Sequence, residues 1–332
     1  MGCRTSQFVF AVMLIAAGFW QATSASAQTQ QQLNWCKGND GATPDLRIGG
    51  CTAVIQSGKY SGKNLSFAFV NRGLAYRAKG DNDRAITDYN MAIRLDPNDA
   101  TAFMDRGNAY KRKGELDRAL ADYNESIRLM PKNADGFYNR GLVYYEKKDY
   151  DRDIADQTRA IALGPSTNAE IAGNDTFTKL SPNRTVADYY GERGLAYYAK
   201  QDNARALTDY NRAISLDSDN SFRYNNRGNA YKSMGELDRA LADYDQAIKL
   251  RPKYWLALRN RGNALYLTGK YDLAIADYDS ISQIDPKAAD GLYGRGIAKL
   301  KKGDSAGGNA DIAAAKVVEA DIAEQFGRLG VK

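Results

Sequence analysis

Carboxylates, guanidiniums, ammoniums, amides and phenols carry nearly all the polar chemistry of this 332-residue chain, because it contains no histidine. That absence excludes a His-ligated metal, a Ser-His-Asp or Cys-His nucleophile and an imidazole pH switch. There is no glycine-rich loop ending in Lys-Ser or Lys-Thr and no cluster with metal-ligand spacing. Scattered Asp and Glu point to no acid–base pair, so neither enzyme activity nor a cofactor is expected. What recurs is a pairing chemistry. Arg72, Arg106, Arg140, Arg193, Arg227, Arg261 and Arg295 share one position of a repeating pattern, and Asp88, Asp122, Asp156, Asp209, Asp243, Asp277 and Asp311 share another. A planar guanidinium holds a carboxylate with two bonds. These residues therefore predict an Arg–Asp ladder, within units or between adjacent ones, with a basic line for an anionic ligand as the alternative. The 46 Lys and Arg are interleaved with 40 Asp and Glu, for a net charge of +6. Such interleaving is weak ground for nucleic acid as a partner.

The pattern that positions these side chains has a period of 34 residues. Gly73, Gly107 and Gly141 mark it, as do Gly194, Gly228, Gly262 and Gly296 after 19 extra residues. Seven units follow at 66–99, 100–133, 134–167, 187–220, 221–254, 255–288 and 289–322, with an inserted segment at 168–186. Each unit reads as two helices. In the first unit an apolar stretch through Phe69, Gly73 and Tyr76 stops at Lys79-Gly80-Asp81-Asn82. Ala85, Tyr89, Ala92 and Ile93 then share one face of a second helix, and Pro97 ends it. Unit three departs from the rule, with Asp153 at the small-residue position and Gln157 at the tyrosine. Polar groups at packing positions are costly unless satisfied, which marks a special junction before the insertion.

The recurrence of Gly73, Tyr76, Ala85, Tyr89, Ala92, Pro97 as Gly107, Tyr110, Ala119, Tyr123, Ser126, Pro131 and as Gly228, Tyr231, Ala240, Tyr244, Ala247, Pro252 resembles the tetratricopeptide repeat (TPR) signature. The resemblance covers residues 66–322. It implies an all-α, right-handed α-solenoid whose concave groove is lined by the first helix of each pair, a family architecture for binding. The Arg before each signature Gly departs from the family, in which an apolar residue is more usual. Val318, Ile322, Phe326 and Leu329 read as a terminal capping helix, with 323–332 as its end.

Residues 1–27 combine Arg4, an apolar run from Phe8 and the small residues Ala25-Ser26-Ala27, which is the layout of a cleaved signal peptide. An uncleaved anchor is the alternative, although the run is short for a span. Export leaves Cys36 and Cys51, for which a disulfide is expected and two buried free thiols are the alternative. The bond would tie a cap at 28–65, in which 45–58 resembles the second helix of a degenerate unit. A periplasmic or secreted location follows, with no membrane span after cleavage.

Groove positions carried over from the family give Phe67, Val70, Leu74 and Arg77 in unit one, and Met104, Asn108, Lys111 and Arg112 in unit two. Unit three adds Tyr138, Leu142, Tyr145 and Glu146, and unit four Leu195 and Tyr198. Then come Phe222, Asn225, Asn229 and Lys232, followed by Leu256, Arg259, Asn263 and Tyr266, and last Tyr293 and Ile297. Asn108, Asn229 and Asn263 offer a donor and an acceptor to an extended peptide, with plain solvated helix residues as the alternative. Lys111, Lys232 and Arg259 beside them favour a peptide bearing carboxylates. The family's chaperone-tail clamp is not expected, because Val70 stands where its first lysine belongs. A non-catalytic scaffold of the cell envelope, holding a protein segment, is the expected function. A self-assembling structural component and a binder of glycan or anionic polymer are the rivals.

Overall fold

A computed structural model describes residues 29–39, 41–164 and 185–331. The expected leader at 1–27 and residues 168–184 of the insertion lie outside them. The described residues form seventeen helices and no strand. Helix α1 spans 29–36 and α2 Pro44–Gln56. Unit one is α3 (Lys63–Ala78) with α4 (Asn82–Leu95), and unit two is α5 (Ala100–Arg112) with α6 (Leu116–Leu129). Unit three is α7 (Ala134–Glu146) with α8 (Tyr150–Leu163), and unit four α9 (Val186–Ala199) with α10 (Asn203–Leu216). The last three units are α11 (Ser221–Ser233) with α12 (Leu237–Leu250), α13 (Trp255–Leu267) with α14 (Tyr271–Ile284), and α15 (Ala289–Lys301) with α16 (Ser305–Val318). Helix α17 (Ile322–Arg328) closes the chain. The described residues up to Val143 pack as one compact body, and the described residues from Tyr144 pack as a second.

Local chemistry sets the helix ends. Asp81, Asp202 and Asp304 cap second helices by accepting from the amides of Arg84, Arg205 and Gly307. Most first helices end at a left-handed glycine, such as Gly80 (φ 81°) and Gly235 (φ 80°). Units three and four place Lys148 (φ 61°) and Gln201 (φ 62°) there, a conformation that costs non-glycine residues.

Packing inside a unit turns on one contact. Tyr89, Tyr123, Tyr210, Tyr244 and Tyr278 are fully buried, and each lies against the signature glycine of its own unit. A Cβ on Gly228 would sit 2.7 Å from Cε1 of Tyr244. No side chain larger than glycine fits without moving the ring, and the buried ring contributes a large apolar surface. Ala85, Ala119, Ala206, Ala240 and Ala274 are fully buried on the second helices. The first-helix tyrosines act differently. Tyr76, Tyr197 and Tyr231 are half-buried and lie under Arg84, Arg205 and Arg239, at 4.5, 4.6 and 5.5 Å from ring centre to guanidinium carbon.

The ends are sealed by different means. Cys36 and Cys51 are joined in a disulfide that ties α1 to α2. Closing a loop of 15 residues corresponds to about 3 kcal/mol in the chain-entropy view. At the other end Ile322 and Phe326 are fully buried, and the Phe326 ring lies 4.9 Å from that of Tyr293. In the second body, Asp153 and Gln157 are both fully buried, and Gln157 Nε2 donates to Asp153 Oδ1 at 3.0 Å. Helix–turn–helix pairs stacked in this way are an all-α solenoid of the TPR kind.

Candidate functional site

Six of the recurring arginines bind the aspartate of their own unit through both branches of the fork. Arg227 Nε and Nη2 donate to Asp243 at 2.8 and 2.6 Å, and Arg72, Arg106, Arg193, Arg261 and Arg295 repeat the arrangement. Arg140 and Asp156 fall in different bodies. The third nitrogen, Nη1, reaches back to the preceding second helix, to Thr52, Asn90, Asn124, Thr158, Asn211, Asp245 and Asp279 in turn. Each of the six arginines thus ties its own unit and its neighbour at once. Thr52 takes this role in α2, one helical turn ahead of Gln56, the residue that stands 34 before Asn90. The carboxylates of the ladder are only slightly exposed, at 5–13% for five of the aspartates. Burial pushes the Asp122 and Asp277 carboxyls up despite their arginines. At Asp311 burial also pushes upward, but Arg295 and Lys299 together outweigh it and hold the carboxyl below its ordinary value. Arginines engaged in this manner do not form a basic line for a ligand.

On the first-helix face, the three asparagines prove to serve the core. The hydroxyls of Tyr123, Tyr244 and Tyr278 donate to Oδ1 of Asn108, Asn229 and Asn263 at 2.8, 2.8 and 2.7 Å. Units one and four have Leu74 and Leu195 at that position, and there the buried hydroxyls of Tyr89 and Tyr210 have no hydrogen-bond partner. The amide oxygen is therefore the acceptor for the core tyrosine, and at Asn263 the buried nitrogen has no partner. The sequence carried the signal, since Asn occurs only in units that also have the tyrosine, but two units with Leu obscured it.

Exposure narrows the predicted lining further. Tyr138, Asn225, Asn263 and Tyr266 retain at most 9% of their surface, so they are not open groove residues. Asn225 accepts from Asn260 at 2.9 Å and links α11 to α13. Tyr266 packs edge-on to Tyr271, and Tyr293 is covered by Phe326. Val70, Met104 and Ile297 are buried as well. Asn108, Lys111, Tyr145, Tyr198, Asn229, Lys232 and Arg259 keep partial exposure. In the first body, Arg77 reaches the fully buried Asp105 at 3.3 Å. Burial pushes that carboxyl up against the pull of Arg77.

Units five and six bring together the most reactive part of the face. The Lys232 ammonium makes no hydrogen bond or ion pair among the described residues, and burial, then Arg259, depress its pKa. Arg259 Nη1 donates to Asp290 at 3.0 Å while its buried Nε has no partner. The buried amide nitrogen of Asn263 has none either. Three nitrogen donors, two of them charged, thus lie on two consecutive first helices without acceptors. Buried donors in this condition are exceptions that a ligand or water would satisfy. Beside them Phe222 and Trp255 are exposed at 49% and 41%, with Arg259 stacked 5.3 Å from the Trp255 ring. Sequence reasoning placed Phe222 on the face and missed Trp255, which opens α13 just ahead of the groove positions. Among the described residues no group of His, Cys, Asp or Glu could hold a metal, and no helix is long and apolar enough to cross a membrane.

Comparison with known proteins agrees with this architecture. The TPR repeat profile matches residues 73–114, 107–148 and 194–235, and a second tetratricopeptide repeat profile matches 225–289. Neither describes an enzyme family. No curated protein matches the sequence. A solved tetratricopeptide repeat protein from Parabacteroides merdae is 19% identical, with a TM-score of 0.57 over 76% of this chain and 93% of that one. PilF of Pseudomonas aeruginosa is 18% identical, with a TM-score of 0.55 over 68% of this chain and 94% of its own. The Cut9–Hcn1 hetero-tetramer of the APC/C matches at 12% identity and a TM-score of 0.57, over 84% of this chain and 50% of that one. At such identities the likeness concerns the fold. With its repeats, their packing and both profiles in agreement, the chain belongs to the tetratricopeptide repeat family.

Proposed function

We propose that the chain is a non-catalytic scaffold of the bacterial cell envelope that holds an extended, carboxylate-bearing protein segment against the first-helix face of its second body. The observation that carries this reading is the set of unsatisfied donors on Lys232, Arg259 and Asn263. A carboxylate offers about four acceptor sites and suits the Lys232 ammonium together with the Arg259 Nε that Asp290 leaves unpaired. Phe222 and Trp255 would supply the apolar contact that anchors such a segment. Export is supported by the Cys36–Cys51 bond, since disulfides persist in oxidising compartments. Tyr145, Tyr198 and Asn229 would contribute along the same face of the second body.

The test uses Lys232→Ala combined with Arg259→Ala, beside wild type, as bait in an extract of the envelope compartment. Proteins retained by wild type and lost by the double variant, with circular dichroism unchanged, are the expected result. Equal retention of every partner by both baits would overturn the reading. Mass measurement of the purified exported chain should show a mature N-terminus at Gln28.

A further inference from the structure

Unit six lacks a cover that the five units before it share. In those units an arginine of the second helix lies over the first-helix tyrosine, 4.5–5.5 Å from ring centre to guanidinium carbon: Arg84 on Tyr76, Arg118 on Tyr110, Arg152 on Tyr144, Arg205 on Tyr197 and Arg239 on Tyr231. An acid three residues earlier pairs with each arginine, namely Asp81, Glu115, Asp149, Asp202 and Glu236. In unit six the three positions are Leu265, Lys270 and Leu273. Ring, guanidinium and acid are replaced together, and Leu273 is 57% exposed. All three residues line a cavity of about 470 Å³ between α12 and α14. Unit seven also lacks the ring, but Lys299 stands in its place and is bound to Asp311.

A second replacement falls on the same cavity. Asp83, Asp151 and Asp272, in the first turns of second helices, each bind the lysine that ends the next unit's first helix: Lys113, Lys200 and Lys302. Asp238 is their counterpart in unit five. Thr268 stands where its lysine belongs, and the Thr268 hydroxyl donates to the carbonyls of Ala264 and Leu265 instead. The Asp238 carboxylate lines the cavity and makes no hydrogen bond or ion pair among the described residues. Arg261, also in the lining, is committed to Asp245 and Asp277. Lys270 would repel a cation placed where the other units hold their arginine, which leaves Asp238 as the partner for one. The sister units thus display what this space accepts: an aromatic ring on the first helix and an ammonium on the neighbouring aspartate. Unit six provides neither from its own chain.

We propose that the cavity between α12 and α14 is a docking site for a partner segment that carries an aromatic residue beside a lysine or arginine. The ring lies on Leu265 and Leu273, and the cation binds Asp238. An aromatic side chain buries about 150–250 Å², so the ring supplies the affinity while the ion pair selects the neighbour. The cavity shares no lining residue with the cluster of Lys232, Arg259 and Asn263. It is therefore a second binding surface, and it does not depend on the groove reading.

The experiment is selection of a randomised dodecapeptide library on the full chain, followed by calorimetric titration of the selected peptides against variants. Leu265→Tyr with Lys270→Glu and Leu273→Arg gives unit six the residues of unit five and fills the cavity from within. One class of peptides is expected to ignore Lys232→Ala with Arg259→Ala, to carry an aromatic residue beside Lys or Arg, and to lose about tenfold or more in the triple variant. Leu273→Gln, at a position too exposed to disturb the fold, should weaken the same class about fivefold. Asp238→Asn should cost about threefold, the scale of an exposed ion pair, and nothing for a peptide with norleucine in place of its basic residue. If every peptide is lost in Lys232→Ala with Arg259→Ala, or none responds to the triple variant and to Leu273→Gln, this inference is overturned and the groove reading stands. Cavity binders without an aromatic residue would overturn the assigned occupant. So would a molar mass by light scattering that rises with concentration in wild type but not in the triple variant, which would seat a second copy of the chain there. A cavity class with no groove class would overturn the groove reading alone, and a library that yields no binder would overturn both.

Discussion

The ladder between helices and the face of the first helices are built by the same repeating units, yet they differ in how closely the copies agree. Along the ladder six units make the same bidentate Arg–Asp pair, and the third nitrogen of each of these arginines finds Thr, Asn or Asp on the preceding second helix. On the first-helix face the equivalent positions read Leu74, Asn108, Leu142, Leu195, Asn229, Asn263 and Ile297. Uniform chemistry suits a task that each unit must perform for its neighbour, namely register. Variable chemistry suits a surface that meets an irregular object. The buried donors of Arg259 and Asn263 that lack acceptors belong to the variable face, not to the ladder.

The sharpest way to break this comparison is to cut the ladder. Asp243→Ala would leave the Arg227 fork, 20% exposed, with only Asn211. Losing one partner of a buried pair costs about 3–5 kcal/mol, far more than the intact pair contributes relative to apolar residues. Urea titration should show that loss in the second body, while selected peptides keep their affinity under conditions where the variant stays folded. An unchanged urea midpoint would show that the ladder is ornamental. Lys232→Ala should show the reverse, with binding at the first-helix face lost and the midpoint within roughly 0.5 kcal/mol of wild type.

Unit three supplies the next test, because it places a titrating group inside the packing. Asp153 has a folded-state pKa raised to about 7. Its contribution is most favourable below the unfolded value of about 3.9 and is lost as pH rises through 7. The loss between pH 4.5 and 7 amounts to roughly 2–3 kcal/mol. With no histidine in the chain, the other groups that contribute there are carboxyls raised by burial, such as Asp105, Asp122 and Asp277, which Asp153→Asn leaves in place. Asp153→Asn should flatten the wild-type decline in unfolding free energy over that range. Equal slopes for the two proteins would count against a buried, unpaired carboxyl.

Much of this architecture is legible in the amino-acid sequence, for reasons that differ from residue to residue. The 34-residue period, the Gly73-type contact with the Tyr89-type ring, the disulfide and the capping role of Phe326 follow from residue type and spacing, because each is local or repeated. The ladder is legible as a pairing of Arg72 with Asp88. Its bond to Thr52 is not, because Thr52 lies 20 residues before its arginine whereas Asn90, Asn124, Asn211, Asp245 and Asp279 each lie 16 before theirs, and no single residue type recurs among them. The face is the least legible part. Tyr138, Asn225, Asn263 and Tyr266 occupy the right helix face, but the burial of the last three depends on neighbours such as Asn260, Tyr278 and Tyr271 that periodicity does not reveal. Tyr76 and its counterparts read as core, whereas Arg84 and its counterparts cover them from outside.

The smallest expected effect separates the two kinds of unit on the variable face. Tyr244→Phe removes a hydroxyl that donates to Asn229, so it sacrifices a hydrogen bond worth about 1 kcal/mol. Tyr89→Phe removes a buried hydroxyl that has no partner, so it should be neutral or stabilising by up to about 1 kcal/mol. The rings and their glycine contacts are alike, since Gly73 and Gly228 would each place a Cβ 2.7 Å from the tyrosine. The difference between the two substitutions therefore isolates the asparagine's service to the core. Opposite signs in paired urea titrations would place Asn229 in the architecture through its oxygen and leave its nitrogen to the ligand. Equal costs would mean that the Tyr89 hydroxyl is satisfied in solution, and that leucine units are as well provided for as asparagine units.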